Sequence, residues 1–277
     1  ISNGKWCWFS RGIGGKTALD YLIKVKELPF TEAVERIVGR AAERPSVFHA
    51  RAQPEKPKTL LLPPKSNSNT RVIAYLKSRS IDGGLIEQCI RSGQLYESLP
   101  YHNAVFVGMD RNGTPRYACL RGIGTDFKGE ATGSDKRFSF ALPATGESRM
   151  LCVFESAIDL LSYATMAQAG GLSWRSQHLL SLAGVYKPQK ETQEHRLPLA
   201  LTQYLKDHAE IKTICLCLDN DMTGRSATEA IRQQLAERYK VASAFPRQGK
   251  DYNDWLCIRM GLQPAKENPM TERSFAR

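Results

Sequence analysis

Thr213-Ile214-Cys215-Leu216-Cys217-Leu218-Asp219-Asn220-Asp221 is an apolar run that ends abruptly in polar and acidic residues. A short apolar run that is bounded by turn-forming residues is typical of a buried strand. The same pattern recurs at 151–154, 178–182 and 241–245, and helical patterns cover 156–168, 198–208, 223–238 and 252–260. Apolar strands that alternate with helices predict an α/β fold, with a parallel sheet covered by helices on both faces.

Acidic residues follow two of these predicted strands. Glu155 comes directly after 151–154, and Asp219 and Asp221 come directly after 213–218. Binding sites in parallel sheets form at the carboxyl ends of the strands, so we expect these three side chains to meet there. Carboxylates that are held close together repel one another, and proteins commonly offset this repulsion by binding Mg²⁺ or Mn²⁺ between them. Glu155, set apart from the aspartates, would then act as a general acid or base.

Two further acids extend this group. Asp159 lies one helical turn after Glu155, and Asp251 follows the last predicted strand. An acid at a strand-to-helix junction also commonly caps the helix by accepting backbone N–H bonds. Capping therefore remains the alternative interpretation for each single acid.

The composition narrows the class of partner. The 277 residues carry a net charge of +11, which favours a polyanion such as nucleic acid as the partner, although a solvated basic surface gives the same balance of charges.

No apolar run is long enough to span a membrane, and residues 1–20 lack a signal-peptide pattern, so we expect a cytoplasmic protein. The seven cysteines form no C-x-x-C pair and are interpreted as reduced thiols, and a zinc site is not expected.

The rest of the chain divides by composition. Residues 1–42 combine an aromatic, glycine-rich opening with two short helical patterns, and residues 43–69 are rich in Pro, Lys, Ser and Asn and predict a linker. Residues 70–148 predict a small α+β domain that contains a hairpin turning at 110–113. The predicted sheet domain covers 149–262, and 263–277 form a tail.

The order of the motifs resembles a known family. The segments 153–159 (VFESAID), 180–184 (LSLAG), 216–224 (LCLDNDMTG) and 249–251 (GKD) occur in the order found in the Toprim domain, the catalytic module of bacterial primases, topoisomerases and some nucleases. Residues 6–35 resemble the end of the zinc-finger domain of bacterial primases. The middle of the chain, including 133–140 (GSDKRFSF), is similar to DUF3991, which is found joined to Toprim in plasmid and mobile-element proteins.

The resemblance implies a role for each acid. Glu155 would be the acid or base, Asp219 and Asp221 would be metal ligands, and Asp159 and Asp251 would support a second metal or order the site. Two positions depart from the family. Asn253 stands where primases have a second aspartate, and Cys7 stands alone where a cysteine pair is expected, which implies a degenerate zinc-finger remnant at 1–42.

The expected function follows from the resemblance. It implies a magnesium-dependent protein that acts on DNA, with primase-like nucleotidyl transfer in the replication or transfer of a mobile element such as a plasmid. A metal-dependent nuclease and a non-catalytic DNA-binding accessory protein remain the alternatives. Single-stranded DNA and nucleotides are the expected partners, and a membrane is not. The residues expected to hold the nucleic-acid backbone are Lys128, Lys136, Arg137 and Lys250, although a solvated loop would contain such residues too.

Overall fold

The computed structural model describes residues 6–8, 13–42, 59–182, 184 and 197–263. The chain forms two compact units, residues 1–56 and residues 57–277. Most of the predicted linker and nearly all of the predicted tail lie outside the described residues, and the predicted domain boundaries stay predictions. No helix in the described ranges is both long and apolar enough to cross a membrane.

The first unit contains a hairpin and two helices. Its elements are β1 (Trp6–Trp8), β2 (Ile13–Gly15), α1 (Ala18–Lys24) and α2 (Phe30–Ala42). Thr17 and Asp20 form a reciprocal capping box that starts α1. The Trp6 ring meets Tyr21 edge-on at 5.3 Å, so at least one of the aromatic residues packs locally. The two predicted helices are confirmed, and the zinc-finger ancestry of this unit stays a prediction.

The second unit opens with two helices and an antiparallel sheet. The elements are α3 (Thr70–Ser78), α4 (Gly83–Arg91), β3 (Leu95–Glu97), β4 (Ala104–Met109), β5 (Pro115–Arg121) and β6 (Lys128–Glu130), and the strand order is β3-β4-β5-β6. The predicted hairpin is confirmed. Asp110 Oδ1 accepts hydrogen bonds from the backbone N–H of Asn112 and Thr114, both at 3.0 Å, and Gly113 supplies the positive φ of 75° that the turn requires.

A five-stranded sheet follows. Its elements are β7 (Ala141–Leu142), β8 (Met150–Phe154), α5 (Ala157–Ala169), β9 (His178–Ser181), α6 (Leu199–Asp207), β10 (Thr213–Cys217), α7 (Met222–Leu235), β11 (Lys240–Ser243) and α8 (Tyr252–Arg259). The strand order is β11-β10-β8-β9-β7. The four predicted strands pair in parallel. β7 pairs antiparallel with β9 at the edge of the sheet, and its two residues are too few to be recognised as a strand in the sequence.

Helices cover both faces of this sheet, as predicted. On one face, residues of α5 and α8 share a core with the sheet and with α3 and α4. On the other face, α6 and α7 bury Leu201, Leu205 and Ile231 against alternate residues of β8 and β10. The central strands are therefore apolar on both sides, which explains their continuous hydrophobic runs.

Asn253 joins this sheet domain to the helices that precede it. Its amide group donates to the Arg79 carbonyl at 3.0 Å and to Ser162 Oγ at 2.9 Å, and its Oδ1 accepts from Arg79 Nη1 at 2.8 Å. The residue is only 2% exposed. The residue that departs from the family pattern is therefore a fully bonded core residue of this chain.

We expect Asn253→Ala to lower the free energy of unfolding by about 2–4 kcal/mol, because it removes the three hydrogen bonds that the buried amide makes with Arg79 and Ser162. Urea denaturation measures the change. The matched control is Asn112→Ala, since Asn112 has an exposed side chain. Equal stability of the two variants would contradict this account of Asn253.

Candidate metal and nucleic-acid site

Two neighbouring strands bring the first acids to one edge of the sheet. Phe154 of β8 and Cys217 of β10 are paired in register, so Glu155 and Asp219 both leave the sheet at its carboxyl edge. A third segment is tied to the same edge, because the Asn220 N–H donates to the Lys250 carbonyl at 2.7 Å. Strand pairing and this hydrogen bond therefore bring the segments that carry Glu155, Asp219 and Asp251 to one edge of the sheet.

Asp159 lies beneath this edge in the first turn of α5. It is 6% exposed, and its Oδ2 accepts a 2.5 Å hydrogen bond from Ser156 Oγ, the side chain that caps the helix. Its Oδ1 accepts from the Asn253 N–H at 3.3 Å. Both oxygens are therefore held by the protein, which fixes the orientation of this carboxylate.

Asp221 and Asp251 are helix caps. Asp221 Oδ1 accepts from the Gly224 N–H at 2.8 Å at the start of α7, and Asp251 Oδ1 accepts from the Asp254 N–H at 2.7 Å at the start of α8. The capping alternative thus applies to these two acids. The other oxygen of Asp221 lies 3.5 Å from Lys250 Nζ, which in turn lies 3.9 Å from Asp219 Oδ2.

Gly224 sets the distance between β10 and α7. A Cβ atom on this residue would lie 2.2 Å from the Asp219 carbonyl oxygen, closer than any van der Waals contact. The turn that carries Asp219 can therefore close only over a glycine.

The acids line a cavity of about 500 Å³. Glu155, Asp159, Asp219 and Asp251 form its acidic wall, together with Lys250. The antiparallel sheet lines another part of the cavity with Arg121 of β5 and with Lys128 and Glu130 of β6. Its two cations, Arg121 and Lys128, form the basic wall. Asp221 is not among the lining residues, so the structure places it at the margin of the site, in contact with Lys250.

The four predicted basic residues separate into two pairs. Lys128 and Lys250 line the cavity, whereas Lys136 and Arg137 do not. Lys136 instead lies 2.9 Å from Glu130 and Arg137 lies 2.6 Å from Asp135. Arg121 was missed by the sequence analysis, because a basic residue in an alternating strand has no local signal that distinguishes a cavity wall from a solvated face.

Burial and mutual repulsion alter the acidity of the group. Burial and the charges of Glu155, Asp159 and Asp251 raise the pKa of Asp219 to about 8. Burial and the charge of Asp159 raise the pKa of Asp251 to about 7, and burial raises the pKa of Asp159. The acids line the same cavity and repel one another electrostatically. A bound divalent cation would reduce this repulsion.

Among the described residues, no three of these acids bring their carboxylate oxygens within 4.8 Å of one another. Within the described ranges, the groups of three possible ligand atoms that lie within 4.8 Å of one another are Cys152–Cys215–Cys217 and His178–His208–Glu210. The acidic wall nevertheless suits Mg²⁺ or Mn²⁺ in its chemistry, because its donors are hard oxygens beside a roomy cavity in which water could complete the coordination.

Comparison with known families agrees with the resemblance. Residues 152–256 match the family model described as Toprim-like, and residues 74–146 match the model described as a protein of unknown function, DUF3991. The chain therefore carries a Toprim-like domain behind a DUF3991 region. All five predicted acidic residues fall within the Toprim-like match.

Two curated relatives are similar over most of this chain. An uncharacterized protein of Bacillus anthracis is 24% identical over 238 residues, which cover 81% of this chain and 64% of that protein. A 65 kDa protein of Zymomonas mobilis is 24% identical over 285 residues, which cover 95% of this chain and 46% of that protein. This chain thus spans less than two thirds of the length of either relative.

Solved structures of primases are also similar. The primase fragment of the bacteriophage T7 primase-helicase has 19% identity and a TM-score of 0.45, covering 67% of this chain and 69% of that one. The Escherichia coli primase catalytic core has 15% identity and a TM-score of 0.45, covering 70% of each chain.

The raised pKa of Asp219 predicts how stability depends on pH. Its ordinary value is 3.8, and the folded value is about 8, so the folded protein binds the proton more tightly than the unfolded one. Stability should therefore fall as the pH rises from roughly 4 through 8. Asp219→Asn removes this loss and should make the metal-free protein about 1–3 kcal/mol more stable than the wild type at pH 8.

Urea denaturation in the presence of a chelator, at pH 5 and pH 8, measures this difference. Added Mg²⁺ should restore the stability of the wild type at pH 8 and should affect Asp219→Asn less. Asp207→Asn, at the end of α6, is the control and should follow the wild type. If the wild type and Asp219→Asn show parallel pH dependence, the acids do not repel one another in the way described.

Proposed function

We propose that this protein is a magnesium- or manganese-dependent Toprim protein that acts on DNA by primase-like nucleotidyl transfer. The observation that carries the proposal is the cavity, whose lining combines the carboxylates with the basic side chains of Arg121 and Lys128. A nucleotide or nucleic-acid phosphate with a bound metal ion needs both kinds of group, carboxylates to hold the metal and cations to hold the phosphate oxygens. The setting, replication or transfer of a mobile element, rests on the resemblance to DUF3991-Toprim proteins.

The acidic wall would hold the metal. Asp219 is the central ligand in this proposal, because its pKa responds to Glu155, Asp159 and Asp251 at once. Asp159 and Asp251 would support a second ion or order the first, and Asp221 would contribute the oxygen that faces Lys250. When bound, the metal supplies charge neutralisation at the phosphoryl oxygens and at the attacking and leaving oxygens of an in-line displacement.

Glu155 is the proposed proton acceptor. It lines the cavity at the end of β8, beside Ser156 and Ala157 at the start of α5. At this position its carboxylate can accept the proton of a 3′-hydroxyl as the new phosphodiester bond forms, and can return a proton to a leaving group.

The DUF3991 region would supply the other half of the site. Arg121 and Lys128 are paired in register on β5 and β6, so two neighbouring cations line the same cavity as the acids. Fixed cations orient phosphate oxygens and stabilise the charge that develops on them during transfer. The region therefore positions the nucleic acid or the nucleotide against the acidic wall.

We expect Glu155→Gln to slow product formation by about 10²–10⁴-fold, the usual contribution of a general acid or base. Asp219→Asn should abolish the response to added Mg²⁺. The assay incubates labelled single-stranded DNA with NTPs and Mg²⁺ and resolves the products by length. Glu237→Gln, an exposed change of the same chemistry, is the control and should retain full activity.

The same assay separates the alternatives. Extension of the label supports nucleotidyl transfer, whereas its shortening in a Glu155-dependent manner would replace the proposal with a nuclease. If DNA is bound but neither product appears, and Glu155→Gln changes nothing, the protein is a binding accessory.

A second prediction concerns the basic wall. Lys128→Ala should weaken binding of single-stranded DNA by about 1 kcal/mol, or roughly fivefold, and should lower the salt slope of log Kd by about 1. Lys136→Ala should change affinity less than twofold by comparison, because Lys136 lies outside the cavity and pairs with Glu130. Fluorescence anisotropy across a salt series measures both, and equal losses in the two variants would contradict the assignment of the wall.

A further inference from the structure

A second group of possible ligands lies at the opposite edge of the sheet. His178 is the first residue of β9, and His208 and Glu210 lie between α6 and β10. Their ligand atoms lie within 4.8 Å of one another. The sequence predicts no zinc site, because the two histidines are thirty positions apart and only the fold brings them together.

His178 carries an unsatisfied nitrogen in this group. The residue is 3% exposed, and its Nε2 is the buried side-chain atom without a hydrogen-bond partner in the described ranges. Its Nδ1 lies 3.0 Å from the Tyr204 hydroxyl. A buried polar atom without a partner is costly, so a native structure that keeps one calls for an explanation such as an ion at the site.

The other ring nitrogen of His178, Nδ1, has the kind of partner that orients a metal-binding histidine. The Ala144 backbone N–H also donates to Nδ1, at 3.4 Å. An ion on Nε2 would require the ring proton to move to Nδ1, where the Tyr204 hydroxyl oxygen, 3.0 Å away, would accept it. Metal-binding histidines commonly have such a partner on the other ring nitrogen, because it fixes the tautomer and the orientation of the ring.

The spacing also suits a tetrahedral metal ion. Glu210 Oε1 lies 3.0 Å from His208 Nδ1 and 3.8 Å from His178 Nε2. Ligands about 2.0–2.1 Å from a tetrahedral zinc ion are separated by roughly 3.4 Å, which falls between these two distances. Glu210 is 47% exposed, so water can fill a fourth position.

We propose that His178, His208 and Glu210 form a binding site for one zinc-class transition-metal ion. Two imidazole nitrogens favour zinc over magnesium, which prefers oxygen ligands. The ion would fasten the loop before β10 to the start of β9, at the edge of the sheet opposite the acidic cavity. The proposal does not depend on the proposed function.

Equilibrium dialysis of the chelator-treated full chain against ZnCl₂ in excess Mg²⁺ tests the site. The wild type should bind one zinc ion that Mg²⁺ does not displace, and its Tm should rise. His208→Gln and Glu210→Gln should each weaken zinc binding by about tenfold or more while keeping the wild-type circular dichroism spectrum. Glu210 is partly exposed, so its substitution leaves the core intact.

Three control variants separate this site from other ligands. Glu237→Gln reports on surface charge, Asp219→Asn on the acidic cavity and Cys215→Ser on the buried thiols, and all three should bind zinc like the wild type. Bound Co²⁺ should show no thiolate charge-transfer band. The proposal fails if the wild type takes up no zinc, if His208→Gln and Glu210→Gln bind it normally, or if uptake is lost in Cys215→Ser or Asp219→Asn.

Discussion

Repulsion among carboxylates at one edge of a parallel sheet is the constraint on which the functional site depends. Parallel pairing of β8 with β10 brings Glu155 and Asp219 to the same edge, and the strand order leaves no way to separate them. Helix N-termini and Lys250 offset part of the negative charge. Burial and the charges of Glu155, Asp159 and Asp251 still raise the pKa of Asp219. A divalent cation in the cavity would offset the repulsion among these carboxylates.

The antiparallel sheet matters because it closes the cavity, and its position is fixed by a shared core. Phe106 of β4 meets Phe140 edge-on at 5.7 Å, and Gln94 donates to the carbonyl of Ala141 in β7 at 2.8 Å. Asn253 adds the bonds to Arg79 on the helix side. These contacts pack the antiparallel sheet against the parallel one, so the distance between the two parts of the cavity lining is set by a shared core, which a tethered but independent domain could not achieve.

The sequence alone predicted the parts of the fold that have a strong local signal. The four parallel strands and their helices were placed to within a few residues. The central strands β8 and β10 have nearly continuous apolar runs because helices cover both of their faces, whereas the edge strand β11 is largely exposed. The antiparallel edge β7 has two residues and no periodicity. Arg121 and the cluster of His178 with His208 depend on contacts between distant segments, so no spacing along the chain could reveal them.

The pair Asp219 and Asp221 illustrates why a motif does not assign equal roles to its residues. The motif gives both residues the role of metal ligand, but the chain turns into α7 at Asp221, which caps that helix. Because Gly224 lets the helix approach to within contact of the Asp219 backbone, the cap also fixes the turn that carries Asp219. We infer that the main role of Asp221 is to hold Asp219 in place. Only the second carboxylate oxygen of Asp221, which lies beside Lys250, is left to bind a cation.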